Sequence, residues 1–327
     1  MKKRSHRLLW PALSLLALLV YNAFASDTFF QVELREGRLY GTPVDIFHQG
    51  AAVMLLALGM SLVIATGGID LSVGSVMALS GAVAAVAVRN GVAAPTAFAM
   101  ALGVSTLVGV FNGALARFGG VQPIVATLVT LMVIRGVAMG VADGEIVAFE
   151  DETFVALSTG HWLGVKVAIW IVAMVAVSLG VLLRFTALGP LLEAVGDNEK
   201  AARIAGLSTR GVPLLAYTIC SACAGLAGLL AAASIKAADA NRAGTDMELN
   251  AIFAVVAGGA ALQGGRISLV GALLGAVLLQ ALTLTLYDQG VSPFVTPIPK
   301  ALVILGACLL GSPSFRASIA RWLRRPS

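Results

Sequence analysis

LVIATGGIDLSVGSVMALSG, residues 62–81, is an apolar run that is interrupted at its centre by Gly67, Gly68 and a lone carboxylate, Asp70. Within a bilayer, every peptide group needs a hydrogen-bonding partner inside the protein, and a buried charge costs several kcal/mol. An interruption of this kind therefore needs a structural or functional reason. It indicates a polar pathway rather than a plain membrane anchor.

The composition is that of a membrane protein with several spans. Of the 327 residues, 58% are hydrophobic and 12% are charged, whereas soluble domains are about 45–50% apolar and about 25% charged. A helix needs about 20 mostly apolar residues to cross the bilayer, and such stretches recur along the chain. We therefore predict an all-α polytopic membrane protein with ten spans, at residues 8–25, 46–66, 71–89, 94–116, 121–142, 162–184, 212–234, 249–264, 268–287 and 299–313.

The distribution of Lys and Arg predicts the orientation of these spans. If the N-terminus is cytoplasmic, ten spans return the C-terminus to the cytoplasm, and fourteen basic residues fall inside against seven outside, with Arg135 within a span. This bias is the one that cytoplasmic loops carry. The opening MKKRSHR and the apolar segment after it also fit a cleaved signal peptide, with residues 23–25 as the cleavage site. We favour an uncleaved first span because of the family resemblance described below.

The sequence contains none of the residue patterns that we would expect of an enzyme. It lacks a P-loop, an H-E-x-x-H motif, a G-x-S-x-G motif and a pair of intramembrane aspartates. Cys220 and Cys223 form a C-x-x-C within a predicted span, without nearby acidic or histidine ligands, and we expect them to serve helix packing. His6, His48 and His161 are too scattered for a metal site. Basic residues are not interleaved with aromatic ones, so no nucleic-acid partner is expected.

Neutral side chains predominate among the polar groups of the predicted spans, which suits a neutral, hydroxyl-rich solute better than an ion. The candidate pathway residues are Gly67, Gly68, Asp70, Ser72, Asn112, Gln122, Thr127, Asn250 and Gln263. For Asp70 two roles remain open, and an N-cap on the helix that begins at Leu71 is favoured over contact with the solute. Asn112 and Gln122 flank a turn and could instead tie helix ends together. Arg135 is expected to pair with a carbonyl or a carboxylate.

The segments around two glycine pairs look loosely alike. V-I-A-T-G-G-I-D-L contains Gly67 and Gly68, and V-V-A-G-G-A-A-L contains Gly258 and Gly259. Paired glycines cost helix stability and leave backbone groups open to other partners. The likeness hints at an internal repeat of the kind that transporters use.

Residues 186–211, TALGPLLEAVGDNEKAARIAGLSTRG, form the one substantial inner loop of the predicted topology. Pro190 fits the first position of a short helix, Asp197 or Asn198 can cap a second helix, and Gly206 fits the end of that second helix. Its alanines give the second helix a small, smooth surface that can enter a shallow groove on a partner. A solvated surface loop would explain the same caps and charges.

Four segments, in order along the chain, resemble sugar permeases of the ribose type, the membrane subunits of bacterial ATP-binding cassette importers. They are LVIATGGIDLSVGSVMALSG, GVFNGALARFGGVQPIVATLVTLMVIRGVA, TALGPLLEAVGDNEKAARIAGLSTRGV and GTDMELNAIFAVVAGGAALQGGRISLVGALLG. Within that family, the segments LREGRLYGTPVDIFHQG and ADANRAGTDMELNAI are most similar to galactofuranose permeases.

The resemblance implies a single permease domain, residues 1–327, with ten spans in the bacterial inner membrane. It implies a second permease subunit, identical or related, a separate cytoplasmic ATPase that binds the ATP, and a periplasmic binding protein that delivers a monosaccharide such as galactofuranose or a related pentose or hexose. The permease itself would need no cofactor. The residues that match the loop by which the family engages its ATPase are Glu193, Ala194, Gly196, Asn198, Ala201, Ala202 and Gly206.

Two other classes of function remain as alternatives. The first is a self-sufficient secondary carrier for a small polar metabolite, and the second is an intramembrane enzyme. A secondary carrier has no need of an ATPase-docking helix, and it requires a site for a coupling ion, which we do not find in the sequence.

Overall fold

A computed structural model describes residues 2–26 and 29–311 of the chain, and 71% of the chain is helical. The helices are α1 (Lys2–Ala25), α2 (Thr42–Gln49), α3 (Ala51–Ala65), α4 (Val73–Arg89), α5 (Ala94–Phe118), α6 (Pro123–Val141), α7 (Glu152–Thr159), α8 (Val167–Phe185), α9 (Leu188–Asp197), α10 (Glu199–Ile204), α11 (Gly211–Ile235), α12 (Met247–Ala257), α13 (Leu269–Asp288) and α14 (Pro297–Gly311).

The described residues also form three short, two-stranded antiparallel ribbons. The all-α prediction therefore holds for most of the fold but not for all of it. The strands are β1 (Glu33–Arg35), β2 (Arg38–Tyr40), β3 (Ile146–Ala148), β4 (His161–Trp162), β5 (Val165–Lys166) and β6 (Ala237–Asp239). β1 pairs with β2, β4 with β5, and β3 with β6. In the last pair, Val147 lies opposite Ala238, which joins two loops that are far apart in sequence.

Six helices of the described residues are long and apolar enough to cross a membrane: α1, from Leu8 onward, α5, α6, α8, α11 and α13. A seventh span results if α2 and α3, which meet at an angle of 48°, are taken as one broken span. Every one of the ten predicted segments overlaps a helix, yet length and composition support six to seven spans. Residues 312–313 of the last predicted span, and the predicted cytoplasmic C-terminus, lie outside the described residues.

Two predicted spans are shorter in the structure than in the sequence-based prediction. α4 has 17 residues and begins only at Val73, because residues 66–72 form a non-helical turn. α12 has 11 residues and ends at Ala257, since Gly258 caps it and Gly259 has a φ of +88°. Residues 260–268 then continue without regular structure to the start of α13.

α11 lies at the centre of the helical core, where it packs against α3, α4 and α5. Glycines permit the close approach of these helices. A Cβ at Gly59 of α3 would lie only 2.8 Å from the Cα of Cys220, and a Cβ at Gly109 of α5 would lie 2.7 Å from the carbonyl oxygen of Tyr217. Cys220 and Cys223 are both buried and unpaired, in keeping with the expected packing role.

The helices run between two ends of the molecule, which we name by the elements found there. At the α9 end lie α9, α10, residues 258–268 and the final turns of α3, α5 and α8. At the ribbon end lie α7, the ribbon of β3 and β6, and the final turns of α4, α6 and α11. Exposed apolar side chains on α6 and α8, such as Met132 and Val177, cover the sides between these ends.

Candidate functional site

The break between α3 and α4 is a buried turn that its own residues hold in place. The hydroxyl of Thr66 and the N–H of Gly68 both donate to the carbonyl of Val63, at 2.8 Å and 3.1 Å. Oδ1 of Asp70 accepts hydrogen bonds from the N–H of Ser72 at 2.9 Å and from its hydroxyl at 2.7 Å. Asp70 is fully buried. The interruption of the apolar run 62–81 is therefore an ordered turn inside the protein.

The predicted N-cap role of Asp70 needs a correction in its details. α4 starts at Val73, not at Leu71, and Ser72 occupies its N-cap position without a capping bond from its own side chain. Asp70 instead accepts the N–H of the residue two positions on, which is the geometry of an Asx-turn. Its carboxylate thus fixes the turn that leads into the helix.

Three helices contribute hydrogen bonds to this turn. Nδ2 of Asn112 on α5 donates to the hydroxyl oxygen of Ser72 at 2.7 Å. The hydroxyls of Thr127 on α6 and Tyr217 on α11 both approach the carbonyl oxygen of Ile69, at 3.1 Å and 3.4 Å. Oδ2 of Asp70 and Oδ1 of Asn112 are buried and have no hydrogen-bond partner among the described residues. The turn is thus the centre of a buried polar cluster between α4, α5, α6 and α11.

The structure brings some of the predicted pathway residues together and separates others. Gly67, Gly68, Asp70, Ser72, Asn112 and Thr127 lie in or against the turn. Gln122 is exposed and occupies the N-cap position of α6 without a capping bond. Asn250 is half-buried on α12, and Gln263 is exposed, although its carbonyl oxygen lies near Gly67. Gln122 and Asn250 are therefore not part of the cluster.

The loop 186–211 folds into the two predicted short helices. α9 begins at Leu188, so Pro190 lies at its third position rather than its first. A stripe of buried side chains that includes Leu192 and Val195 packs α9 against the spans. Oδ1 of Asn198 accepts the N–H of Ala201 at 3.0 Å and so caps α10. This choice resolves the alternative between Asp197 and Asn198.

Four glycines join α9 to the break, and we call them the glycine junction: Gly67, Gly196, Gly264 and Gly265. A Cβ at Gly196 would overlap the carbonyl oxygen of Ala65, the last residue of α3. The N–H of Gly265 donates to that same carbonyl at 2.9 Å. A Cβ at Gly264 would lie 2.7 Å from the nitrogen of Gly67. Three backbone segments therefore meet at van der Waals distance, where no side chain fits.

The glycine pair that reaches the break is Gly264 and Gly265, not the pair Gly258 and Gly259, whose surroundings resemble those of Gly67 and Gly68 in sequence. Gly258 packs against the backbone of Gly271, where α12 and α13 cross, and Gly264 and Gly265 meet the turn instead. The pair Gly264 and Gly265 in LQGGR can be seen in the sequence. Its contact with the turn at Gly67 cannot be predicted from the sequence, because that contact depends on how α12 and α13 are placed.

Two side-chain contacts reinforce the junction. Oε1 of Glu193 on α9 accepts the N–H of Ile267 at 3.4 Å. Nη1 of Arg117, at the end of α5, lies 3.2 Å from a carboxylate oxygen of Glu199 on α10, and Nη2 donates to the carbonyl of Thr66 at 3.4 Å. Both short helices are thereby attached to the turn and to residues 258–268.

The seven predicted coupling residues divide between the two faces of the loop. Glu193, Gly196 and Ala202 face the spans, and Ala194 is half-buried. Asn198, Ala201 and Gly206 are exposed, and Gly206 has a φ of +77° after the end of α10. Ile204, which is not among the predicted coupling residues, is 89% exposed. The exposed residues form a surface on the outside of the α9 end that leaves room for a partner.

Toward the ribbon end, residues 240–246 enter the space between the helices. Nη1 of Arg135 on α6 donates to the carbonyls of Ala240 and Ala243, at 3.0 Å and 2.6 Å, so its predicted pairing with a carbonyl is confirmed. Gly244 packs against Gly74 in the first turn of α4. α12 begins only after this segment, which explains why it spans less of the molecule than its neighbours.

Comparison with known proteins identifies the family. Residues 42–312 match the family described as "Branched-chain amino acid transport system / permease component". The chain is 40% identical to the galactofuranose transporter permease protein YtfT of Escherichia coli strain K12, over 94% of this chain and 92% of that protein. It is 39% identical to the ribose import permease protein RbsC of the same strain, over 91% and 92%.

A third relative is the fructose import permease protein FruF of Bifidobacterium longum, which is 34% identical over 99% of this chain and 93% of that protein. No solved structure matches the chain. The match to the family covers most of the chain, and these three relatives are all sugar permeases, each matched over nearly its full length. The chain therefore belongs to this family of multi-pass inner-membrane permease subunits of ATP-binding cassette importers.

Proposed function

We propose that the chain is the pathway-forming subunit of a monosaccharide importer and that a separate ATPase drives it from the α9 end. The observation that carries this proposal is the glycine junction. α9 touches Ala65, the last residue of α3, through Gly196 without any intervening side chain, and it leads through Asn198 into α10, whose outer face is exposed. Because the turn that contains Asp70 follows Ala65 along the chain, a push on α9 reaches this turn, and a conformational change at one site can bias the other.

The α9 end would face the cytoplasm. With that orientation, the ten-span topology predicted from the sequence would assign fourteen Lys and Arg residues to the inside and seven to the outside, in agreement with the positive-inside rule. Six helices qualify by length, the broken pair of α2 and α3 makes a seventh span, and α4, α12 and α14 would complete ten membrane crossings. The short α4 and α12 would cross together with the non-helical segments that precede them. Residues 66–72 are mostly buried, and Ala240 and Gly244 are the buried residues of 240–246, so backbone groups there can find partners within the protein. The whole chain would then form one domain, with residues 186–211 as its coupling loop.

The solute would be a neutral sugar. The names of the three relatives specify galactofuranose, ribose and fructose, and the buried cluster here offers mainly hydroxyl and amide groups, which suit a polyhydroxylated molecule. The loops shared with galactofuranose permeases make that sugar, or a related pentose or hexose, our first choice.

The partners would be an ATPase at the α9 end, a periplasmic binding protein at the ribbon end, and a second permease subunit of the same or a related sequence. The ATPase would bind the ATP, and the permease would contribute neither a cofactor nor a catalytic group of its own. A self-sufficient secondary carrier is the competing function, and it would leave the exposed face of α9 and α10 without a role.

Uptake by the reconstituted importer tests the choice of solute. The permease, its ATPase and its binding protein would be placed in proteoliposomes, and uptake of labelled sugar would be measured against competing ribose, fructose, galactose and arabinose. Calorimetry on the binding protein with the same sugars provides an independent measurement. We expect one or two of these sugars both to bind and to be taken up. Uptake of branched-chain amino acids, with no response to any sugar, would contradict the proposal.

A further inference from the structure

A cleft of about 910 Å³ opens on the surface of the α9 end. Its walls are the last turn of α5, helix α10 and residues 207–210, which precede α11. Sites for small molecules in proteins are typically about 300–1,000 Å³. The cleft is therefore large enough for a small charged ligand.

The cleft carries an excess of positive charge. Four basic and two acidic residues line it, namely Arg117, Lys200, Arg203 and Arg210 against Asp197 and Glu199. Glu199 is already paired with Arg117. The side chains of Lys200, Arg203 and Arg210 make neither a hydrogen bond nor an ion pair with any other residue that the structure describes. Three cations are thus left for an anionic ligand.

Neutral hydrogen-bond donors lie beside these cations. Ser208 and Thr209 also line the cleft. Oγ of Ser208 accepts the N–H of Gly211 at 3.2 Å, which leaves the hydroxyl proton of Ser208 for another acceptor. An arginine guanidinium can hold two phosphate oxygens at once, and a hydroxyl group can donate a further hydrogen bond. The combination is typical of a site for a phosphate group.

The cleft lies at the surface of the membrane. α5 and α11 have 25 residues each, so each helix is about 38 Å long. The hydrocarbon core of a bilayer is only about 30 Å thick, and the helix ends at the cleft therefore reach the headgroup region. Phe118 is 60% exposed there, and the guanidinium carbon of Arg210 lies 5.7 Å from the centroid of its ring. An apolar ring and a phosphate-binding cation thus stand together where acyl chains meet headgroups.

We propose that this cleft binds the phosphate headgroup of an anionic phospholipid, with Lys200, Arg203 and Arg210 as its ligands. Basic pockets between membrane helices on the cytoplasmic side are typical sites for such headgroups. The bound phosphate joins α10 to the residues that precede α11. Ala201, part of the exposed surface described above, lies on the opposite side of α10 from Arg203, so the lipid leaves it free for a partner. The proposal goes beyond the proposed function, because a chain in the membrane can bind this lipid whatever solute it carries.

Native mass spectrometry of the full-length permease in a neutral detergent tests lipid binding directly. Phosphatidylglycerol and phosphatidylcholine with the same acyl chains would be added at equal concentrations. We expect the wild type to retain several-fold more phosphatidylglycerol, and Arg203→Gln and Arg210→Gln each to lose most of this preference. Arg184→Gln is the matched control and should keep it. Arg184 lies at the same end, 5.8 Å from the ring centroid of the exposed Phe185, but outside the cleft.

Thermal unfolding separates a lipid site from a site for a free anion. The unfolding temperature of the same four proteins would be measured with each lipid and with inorganic phosphate. Because a ligand that binds only the folded state stabilises it, we expect phosphatidylglycerol to raise the unfolding temperature of the wild type and of Arg184→Gln by several degrees. The rise should be smaller in Arg203→Gln and Arg210→Gln. Without added lipid all four proteins should unfold together, since the three arginines are exposed.

Three results would overturn the proposal. The first is equal retention of the two lipids by the wild type, or an unchanged preference in both cleft variants. The second is stabilisation by inorganic phosphate as large as that by phosphatidylglycerol, which would identify a site for a free anion. The third is loss of the lipid when the ATPase binds the permease, which would assign the cleft to that subunit. None of these measurements involves sugar uptake, so a failure of the proposed function would leave their outcome unchanged.

Discussion

The guanidinium of Arg117 lies 3.2 Å from the carboxylate of Glu199, and the same side chain donates to the carbonyl of Thr66. Arg117 is nearly buried, with 11% of its side chain exposed, whereas 54% of the Glu199 side chain is exposed. One arginine at the end of α5 thus joins the helix that would face the ATPase to the turn that holds Asp70. Movement of α10 has to displace this contact or carry the turn along.

Arg117→Gln should uncouple the importer with little loss of stability. An ion pair with one exposed partner contributes only about 0.2–1 kcal/mol, so the fold should persist, while the connection between α10 and the turn is lost. We expect sugar uptake per ATP hydrolysed to fall several-fold in proteoliposomes. Arg184→Gln, an exposed arginine at the same end, serves as the control. An unchanged ratio of sugar uptake to ATP hydrolysis in Arg117→Gln would show that the contact does not contribute to coupling.

Gly196→Ala should be severely disruptive, because the new Cβ would overlap the carbonyl oxygen of Ala65. That carbonyl also accepts the N–H of Gly265, so a shift of Ala65 away from the new Cβ would also disturb this hydrogen bond. Gly180→Ala in α8 adds the same methyl group where nothing lies within 4 Å, and it should be neutral or stabilise the helix by roughly 0.5–1 kcal/mol. Thermal unfolding in detergent and ATP-driven uptake would both be measured. Equal unfolding temperatures and equal uptake in Gly196→Ala and Gly180→Ala would contradict the close packing of the glycine junction.

Glu193→Ala should reduce coupling more than Glu193→Gln does. The amide of Gln keeps an oxygen that can accept the N–H of Ile267, which Glu193 now accepts at 3.4 Å, and Ala removes it. We expect both Glu193 variants to insert normally. Only the Ala variant should take up less sugar while it still hydrolyses ATP.

Gly206→Ala should also reduce sugar uptake while ATP is still hydrolysed, because the φ of +77° at Gly206 strains any residue with a Cβ. Normal sugar uptake in both Glu193→Ala and Gly206→Ala would show that the loop 186–211 does not couple ATP hydrolysis to transport.

Asp70→Ala should destabilise the permease by about 1–3 kcal/mol, because it leaves the buried N–H and hydroxyl of Ser72 without their acceptor. Asp70→Asn retains a carbonyl oxygen at the same place and should cost less. The measurement is the unfolding temperature of the purified protein in detergent. If both variants melt together with the wild type, the carboxylate does not hold the turn.

Several features of this fold could be predicted from the sequence, because they depend on local signals. Gly67 and Gly68 end a helix, Asn198 caps one, and Arg135 requires a partner wherever it lies in a span. Residues 240–246 are different: their polar sequence is typical of an exposed loop, and Asn241 and Arg242 are exposed, but the packing of α4, α6 and α11 lets Ala240 and Gly244 enter between the helices. The contact of Gly264 with Gly67 likewise depends on tertiary placement.

The most direct test of the central claim is uptake under two energy sources. The permease would be reconstituted with its ATPase and binding protein, and sugar uptake would be followed with ATP alone, with a proton or sodium gradient alone, and with the permease alone under each condition. We predict uptake only when the complete complex receives ATP. Accumulation of the sugar by the permease alone under an ion gradient would contradict the account, because it would make the chain a secondary carrier.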